Sequence, residues 1–281
     1  MQVFEKIKDI HSHLLRQKKT GKSIGFVPTM GALHEGHLQL MHRAKKENEL
    51  LVVSIFVNPI QFNNPEDLQK YPRDLEKDKK LLREVECDIL FIPEVEEMYP
   101  EGEVLVNYDF GGLDKVMEGT FRGGHFNGVA IVVKKLFDII LPDRAYFGEK
   151  DFQQLAIIRK LVEIEQLPVE IVPCPIVREP DGLAMSSRNE RLTEEERKMA
   201  PFIYDSLQEA KEKKDSLSPM EITEWVVNRF EDQPAFRLEY FQLADDQDLQ
   251  PVEKWDDAEG VVAFVASWLG NVRLIDNLRF I

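Results

Sequence analysis

The chain has 281 residues, of which 36 are Lys or Arg and 51 are Asp or Glu, so its formal net charge at pH 7 is −15. This length can bury a large core without disulfides or metal ions. With 43% hydrophobic and 31% charged residues, the composition is that of a globular protein and excludes a mainly disordered chain. The acidic balance argues against nucleic-acid and membrane partners, so an anionic substrate would need locally concentrated positive charge.

The N-terminal residues 1–16 mix charged and apolar side chains and lack the apolar core of a secretory signal. The most apolar stretch, residues 261–269, is too short to cross a bilayer. Cys87 and Cys174 lie far apart, without the paired spacing of a disulfide framework or a zinc site. These features predict a cytoplasmic protein with two buried free thiols.

Short apolar, β-branched runs recur at residues 24–28, 51–57, 88–92 and 169–173. Longer segments lie between them, among them two predicted helices, at residues 74–85 and 126–140. Strands that alternate with helices in this way are typical of an α/β fold. We therefore expect a Rossmann-like parallel sheet with helices on both faces.

Prolines and a glycine cluster between residues 173 and 182, and the pattern then changes. Helices are predicted at residues 193–214 and 218–231, and strands at 237–244, 260–269 and 271–280, with Gly270-Asn271 as a tight hairpin turn. This change predicts a boundary near Val177. Residues 1–176 would form a Rossmann-like domain, and residues 177–281 a smaller C-terminal α+β domain with an antiparallel sheet.

The first predicted strand of this series leads into Thr29-Met30-Gly31-Ala32-Leu33-His34-Glu35-Gly36-His37, after which an apolar helical pattern begins. Open α/β sheets bind nucleotides at such a position, because a helix N-terminus offers N–H groups to phosphate. His34 and His37 would share one helix face, and Gly36 would leave room for a ligand. A solvated helix start remains the alternative, and zinc a weaker one, since no third ligand cluster is evident. Strand, glycine loop and His-x-Gly-His together resemble the phosphate-contacting motif of the nucleotidylyl-transferase superfamily.

Two later segments carry cations that suit a triphosphate. In Gly148-Glu149-Lys150-Asp151, Lys150 can reach a phosphate and Asp151 a ribose hydroxyl. Met185-Ser186-Ser187-Arg188 resembles the mobile Lys-Met-Ser-Lys-Ser loop of the same superfamily, with Arg188 in place of the second lysine. Either segment alone could be a polar turn, the second one preceding a helix with a capping box at Thr193.

Two glutamines follow predicted site segments. Gln61 comes shortly after the second strand, in Phe56-Val57-Asn58-Pro59-Ile60-Gln61-Phe62, and Gln154 comes one helical turn after Lys150. Neutral amides can hydrogen-bond a small polar acid without adding another negative charge. On the residues alone, surface glutamines are an equally good interpretation.

Several motifs together resemble the pantoate–β-alanine ligase family over almost the full length. They are Pro28 to His37, Phe56-Val57-Asn58-Pro59, Tyr71-Pro72-Arg73-Asp74, Arg122-Gly123-Gly124-His125-Phe126, Phe147 to Gln154, and Met185-Ser186-Ser187-Arg188-Asn189. The resemblance implies that ATP, (R)-pantoate and β-alanine give pantothenate, AMP and diphosphate through a pantoyl adenylate. It further implies Mg²⁺ on the triphosphate and a cytoplasmic homodimer. By the same resemblance, residues 1–176 would be the nucleotide- and pantoate-binding domain, and residues 177–281 a lid domain that carries the Met-Ser-Ser-Arg loop.

The same resemblance implies the roles of individual residues. Gln61 and Gln154 would hold pantoate, with Gln61 also near β-alanine. The implied catalytic residues are His34, His37, Lys150 and Arg188, with His37 as the acid. The implied ATP contacts are Met30, Gly31, Ala32, Leu33, His34, Glu35, Gly36, His37, Gly148, Glu149, Lys150, Asp151, Val177, Met185, Ser186, Ser187 and Arg188. No residue is assigned as a metal ligand, and residues 63–73 are the predicted lid over the reactive intermediate.

Other functions remain possible at this point. A nucleotidylyl transferase acting on nicotinamide mononucleotide or phosphopantetheine would leave the nucleotide on its product and would not need β-alanine. An aminoacyl-tRNA synthetase is disfavoured by the acidic charge and the short C-terminal part. A regulatory nucleotide-binding module would bind ATP without releasing pyrophosphate.

Overall fold

The computed structural model describes residues 1–102 and 104–281. The described chain divides into two compact units, and each unit contains a sheet of its own. The first unit comprises Met1–Asp114, Glu118–Glu149 and Gln154–Pro175. The second comprises Lys115–Met117, Lys150–Gln153 and Ile176–Ile281. Two short segments therefore belong to the second unit although they lie far from it in sequence.

In the part of the chain that the structure describes, the first sheet has six parallel strands in the order β1-β4-β3-β2-β5-β6. Its strands are β1 (Gln2–Phe4), β2 (Ile24–Thr29), β3 (Leu50–Ile55), β4 (Ile89–Phe91), β5 (Arg144–Gly148) and β6 (Glu170–Cys174). The predicted parallel α/β sheet is confirmed. Sequence patterning did not predict β1 or β5 as strands, because β1 has three residues and β5 contains no β-branched residue.

Among the described residues, eight α-helices are interspersed with these strands. They are α1 (Ile7–Lys19), α2 (Glu35–Glu47), α3 (Pro65–Lys70), α4 (Leu75–Glu84), α5 (Val95–Met98), α6 (Glu118–Phe121), α7 (His125–Ile140) and α8 (Phe152–Glu165). Side chains alternate across β2, so Phe26 packs in a core with residues of α1 and α7, and Val27 in another with residues of α2 and α4. Helices thus cover both faces of the sheet, as predicted.

The second unit contains three antiparallel strands, β7 (Phe236–Asp245), β8 (Val261–Leu269) and β9 (Val272–Arg279). Its helices are α9 (Glu194–Met199), α10 (Phe202–Glu212) and α11 (Pro219–Glu231). The predicted hairpin turn is confirmed, since Gly270 lies between β8 and β9 with a φ of 54°. The predicted capping box is also confirmed, because Thr193 Oγ1 accepts the Glu196 N–H while the Glu196 carboxylate accepts the Thr193 N–H.

The helix predicted over residues 193–214 is wrong as a single helix. The structure has α9 ending at Met199 and α10 beginning at Phe202, with Pro201 at the N-cap of α10. Proline lacks the backbone N–H that a continuous helix would need and its ring crowds the preceding turn. The apolar pattern alone did not reveal this break.

Both cysteines are buried free thiols, as predicted. Burial raises the pKa of Cys87 to about 12 and also raises the pKa of Cys174. Among the described residues, no helix combines the length and the hydropathy that crossing a bilayer would require.

Candidate active site

The loop after β2 is held in an unusual backbone conformation. Gly31 has a φ of 80° and Ala32 a φ of 52°, both in the left-handed region. Glycine adopts this region readily, whereas an alanine there is strained and needs support from its surroundings. Thr29 supplies part of that support, because its Oγ1 accepts the Gly31 N–H at 3.2 Å and donates to the Ser54 carbonyl at 2.8 Å.

Asp78, on α4, provides the other hydrogen bonds that support this loop conformation. Its Oδ2 accepts the Ala32 N–H at 3.0 Å and its Oδ1 accepts the Leu33 N–H at 2.8 Å. The side chain is buried, and burial raises the pKa of this carboxyl even though the two N–H groups favour its charged form. A Cβ at position 31 would stand 3.0 Å from Oδ2, so Gly31 also permits the close approach of the acid.

Asp78 is not among the site residues predicted from the sequence. The available signal was its spacing from two buried residues of the same helical segment, Leu82 and Val85, at positions i+4 and i+7. A charged residue on the apolar face of a helix needs hydrogen-bond partners in the interior. The loop N–H groups are those partners.

The two histidines form the N-cap of α2. His34 is the N-cap residue, and its Nδ1 accepts the Gly36 N–H at 3.2 Å. The Nδ1 of His37 accepts the His34 N–H at 3.4 Å, which completes a reciprocal capping box. The ring centroids are 4.1 Å apart. The spacing of the two histidines predicted that their rings share one helix face. Only the structure shows that each ring accepts a backbone N–H at the start of the helix.

This cap fixes the tautomers of both rings. An Nδ1 that accepts a hydrogen bond carries no proton, so the proton of each neutral ring resides on Nε2. In its neutral form each imidazole then presents Nε2–H as a donor. The caps occupy the Gly36 and His34 N–H groups. The Nε2–H groups of the two rings are further donors at the same helix start.

Gln61 is held by a chain of polar side chains at the end of β3. Its Oε1 accepts the Asn58 amide at 3.0 Å, and Asn58 Oδ1 accepts the Tyr99 hydroxyl at 2.8 Å. Its Nε2 lies 3.3 Å from Met30 Sδ. The structure thus brings Gln61 against the β2 loop and directs its amide NH₂, a donor, toward Met30.

Gly128, in α7, allows the helix to approach this segment. A Cβ at position 128 would lie 2.6 Å from the Ile60 carbonyl oxygen and 2.9 Å from the Gln61 Cα. The Asn58 amide also donates to the Gly128 carbonyl at 3.1 Å. Both neighbours are backbone atoms that cannot simply move aside, so glycine is required there.

Lys150 lies in a 3₁₀ turn, Glu149–Asp151, between β5 and α8. Its Nζ is 3.8 Å from Asp151 Oδ1, and its carbonyl accepts the Asn277 side-chain amide at 3.0 Å. Gly148 is the last residue of β5. Gln154 is half-buried in the first turn of α8. The sequence predicted a turn followed by a helix here, and the structure has both.

Val177 and Met185 are brought together by a short hairpin of the second unit. The Met185 N–H donates to the Val177 carbonyl at 3.0 Å, and Arg178 pairs with Ala184 between them. Ser186 caps the following 3₁₀ turn, Ser187–Arg191, by accepting the Arg188 N–H at 3.2 Å. The serine and arginine segment is therefore an ordered turn anchored by the hairpin.

The described residues contain no group of three or more His, Cys, Asp or Glu side chains arranged to hold a metal ion. Mg²⁺ in nucleotide sites is commonly held by substrate phosphates and water with only one or two carboxylates.

A parallel sheet with a glycine loop and a His-x-Gly-His cap at the carboxyl end of β2 defines an α/β protein whose β2–α2 loop resembles the phosphate-contacting motif of nucleotidylyl transferases. The sequence model of the family described as Pantoate-beta-alanine ligase matches residues 2–279. The chain belongs to this family, and the prediction of a pantoate–β-alanine ligase, made from its motifs, is confirmed.

Relatives and solved structures agree with this assignment. A pantothenate synthetase of Christiangramia forsetii is 53% identical over 279 residues, which cover 99% of each chain. The crystal structure of the pantothenate synthetase from Thermus thermophilus matches with a TM-score of 0.93 and 44% identity, covering 100% of this chain and 99% of the other. A pantoate-beta-alanine ligase from Francisella tularensis, in complex with Beta-gamma ATP and Beta-alanine, matches with a TM-score of 0.84 and 38% identity over 100% of this chain and 98% of that one.

Proposed function

We propose that this ligase makes pantothenate in two half-reactions with the residue roles set out below. In the first, a carboxylate oxygen of (R)-pantoate attacks the α-phosphorus of ATP, the bond to the β-phosphate oxygen breaks, and diphosphate leaves. In the second, the amine of β-alanine attacks the carbonyl carbon of pantoyl adenylate, AMP leaves and the amine loses a proton. The family membership and the relative described with an ATP compound and β-alanine support these substrates.

The reciprocal histidine cap is the observation that carries the proposal. Adenylation joins two anions, so the barrier falls when fixed donors oppose the charge that builds on the phosphates. The Nε2–H groups of His34 and His37 are such donors, since backbone bonds at Nδ1 fix both tautomers. We assign His37 as the acid in the sense of a hydrogen-bond donor: its Nε2–H would donate to the departing diphosphate and keep its proton, because a neutral imidazole that lost this proton would become an imidazolate.

Lys150 and Arg188 would supply the positive charge that neutral imidazoles lack. Lysine acts on phosphate as a compact cation, and arginine as a forked donor. The remaining ATP contacts are assigned by resemblance to Met30–His37, Gly148–Asp151, Val177 and Met185–Arg188. Mg²⁺ bound to the triphosphate would neutralise part of its charge.

Gln61 and Gln154 would hold pantoate. The Gln61 side-chain oxygen accepts a hydrogen bond from the Asn58 amide, and the Gln61 amide NH₂ is directed toward Met30. An NH₂ donor suits the carboxylate or hydroxyl oxygens of pantoate and would also suit β-alanine nearby. This arrangement supports a polar, uncharged substrate pocket beside the β2 loop.

We propose that the C-terminal unit, from about residue 177, acts as a lid domain that carries the Met185–Arg188 turn. Residues 63–73, which include α3, would protect the adenylate from water. A homodimer in the cytoplasm is the assembly and location that the family resemblance implies. The two buried free thiols suit a reducing compartment.

The test is an assay of purified protein with ATP, (R)-pantoate and β-alanine. We expect pantothenate, AMP and diphosphate in equal amounts, and diphosphate formation from ATP and pantoate alone in a single turnover. A nucleotidylyl transferase of another kind would turn over without β-alanine and retain the nucleotide on its product. A binding module would release no diphosphate. Either result would contradict the proposal.

A further inference from the structure

The carboxyl-terminal strand β9 contacts two segments assigned to ATP. Asn277 Nδ2 donates to the Lys150 carbonyl at 3.0 Å, and the Arg178 Nη2 donates to the Asn277 carbonyl at 3.2 Å. Arg178 belongs to the hairpin that joins Val177 to Met185. No residue of this strand was predicted from the sequence to belong to the site. All of these residues belong to the second unit.

Asn277 is rigidly placed. Its side chain is buried, with the residue only 6% exposed, and its N–H donates to the Asp276 carboxylate at 2.7 Å. Asp276 in turn accepts two hydrogen bonds from the Arg178 guanidinium, at 2.6 and 2.9 Å. The Arg178 guanidinium also stacks over Tyr204 at 3.9 Å from the ring centroid. A buried, bidentate ion pair of this kind has little freedom to shift.

The same strand pair supports the turn from a second direction. Asn277 pairs with Phe264 on β8, and the Phe264 ring packs edge-to-face against Phe152, at 5.5 Å between centroids. Phe152 directly follows the Lys150 turn, two residues after Lys150 itself. The turn is thus fixed by a hydrogen bond to its backbone and by an aromatic contact just beyond it.

We propose that Asn277 is a positioning residue for Lys150. This inference rests on the proposed role of Lys150 in adenylation. By holding the Lys150 carbonyl, Asn277 fixes the backbone from which the ammonium extends, so the cation is placed before ATP binds. Preorganisation matters because a cation that must be ordered during the reaction gives less stabilisation of the transition state. The Asp276–Arg178 pair is the rigid base that keeps Asn277 in place.

The experiment is a double-mutant cycle that uses single-turnover diphosphate formation from ATP and pantoate. Asn277→Ala should slow this step about tenfold or more in the otherwise unchanged enzyme. In a Lys150→Ala background, the same substitution should slow it no further, because the group that Asn277 positions is gone. KM for β-alanine should stay within about twofold.

Asn48→Ala is the matched control. Asn48 is also a buried asparagine whose amide donates to a backbone carbonyl, that of Ala44, and it is assigned no role in the site. Its loss should lower the melting temperature with little change in the adenylation rate. Asn277→Leu, which keeps the volume without the donor, replaces the alanine variant if that variant does not fold.

The outcomes separate the two hypotheses. If Lys150→Ala adenylates at a normal rate, the proposed role of Lys150 is wrong, and the positioning role fails with it. If Lys150→Ala is slow but Asn277→Ala is normal, only the positioning role fails. Equal slowing by Asn277→Ala in both backgrounds would show a general structural defect and would also overturn the inference.

Discussion

The buried carboxylate of Asp78 accepts the backbone N–H of Leu33 at 2.8 Å, and this contact ties α4 to the loop that leads into the two histidines. Asp78→Asn should weaken ATP use, because an amide has one acceptor oxygen in place of two and turns a donor toward the second N–H. We expect KM for ATP to rise about tenfold, equivalent to about 1.4 kcal/mol. Stability should fall by about 1–3 kcal/mol from the unsatisfied buried group.

Asp143→Asn is the control for this prediction. The Asp143 carboxylate accepts the Ile24 N–H at 2.7 Å, at the opposite end of β2. Its replacement should reduce stability without changing KM for ATP, and similar kinetics in the two variants would contradict a special role for Asp78. Because burial raises the pKa of Asp78, its protonation should weaken ATP binding in the wild type at a higher pH than for an exposed aspartate. Affinity is thus retained above that pKa and falls below it, and Asp78→Asn should lose this dependence.

Two substitutions at His37 separate the effect of its Nδ1 acceptor, which caps α2, from the effect of its Nε2–H donor. Asn places an acceptor near the position of Nδ1 without replacing Nε2–H, whereas Gln places a donor near Nε2 without the cap. We expect His37→Asn to slow adenylation about a hundredfold or more while preserving the cap at His34. His37→Gln should retain more of the rate but melt at a lower temperature.

Single-turnover diphosphate release and thermal denaturation measure the two effects. The opposite pattern, with His37→Asn active and His37→Gln inactive, would assign the importance of His37 to capping alone. Normal rates in both variants would remove His37 from the reaction.

Gln154→Ala should mainly impair the use of pantoate. The substitution removes a neutral hydrogen-bonding group at the start of α8 and leaves the charges of the proposed ATP site unchanged. We expect KM for pantoate to rise about tenfold or more, while KM for ATP changes little. Initial rates over a matrix of the two substrate concentrations would measure both constants. An unchanged KM for pantoate together with weakened ATP binding would contradict the assignment of Gln154 to pantoate binding.

Gly128→Ala should displace Gln61. The added Cβ would meet the Ile60 carbonyl and the Gln61 backbone, and neither can yield without moving the segment that carries the glutamine. Overpacking of this kind costs about 1–3 kcal/mol, and we expect a raised KM for pantoate as well. Gly123→Ala is the control, because a Cβ at position 123 meets no atom within 4 Å. A normal KM for pantoate in Gly128→Ala would argue against the placement of Gln61 in the substrate pocket.

Neither thiol should react in the folded protein. Cys87 and Cys174 are 2% and 4% exposed, and burial raises both pKa values, that of Cys87 to about 12. Since the thiolate is the reactive form, a thiol reagent at mildly alkaline pH should modify neither residue until denaturant is added. Mass spectrometry after a timed exposure measures the modification. Rapid labelling of the native protein at either cysteine would contradict the burial described here.

The sequence predicted features that depend on neighbouring residues. Strand and helix alternation predicted the parallel sheet, and Gly270 predicted the hairpin between β8 and β9. The capping box at Thr193 was also predicted, since its partners are three residues apart. Where local signals were weak, as in β5, or where one proline interrupted an apolar pattern, as at Pro201, the boundaries were missed.

The sequence alone therefore identified the reaction, because the motifs around His34, Lys150 and Arg188 are recognised by residue type and by spacing along the chain. Only the tertiary structure decided how these segments are held. Asp78 and Asn277 reach the loops that they support from 45 and 127 residues away, measured along the chain. No local pattern records such contacts, since hydrogen bonds between distant segments exist only after the sheets have brought their backbones together.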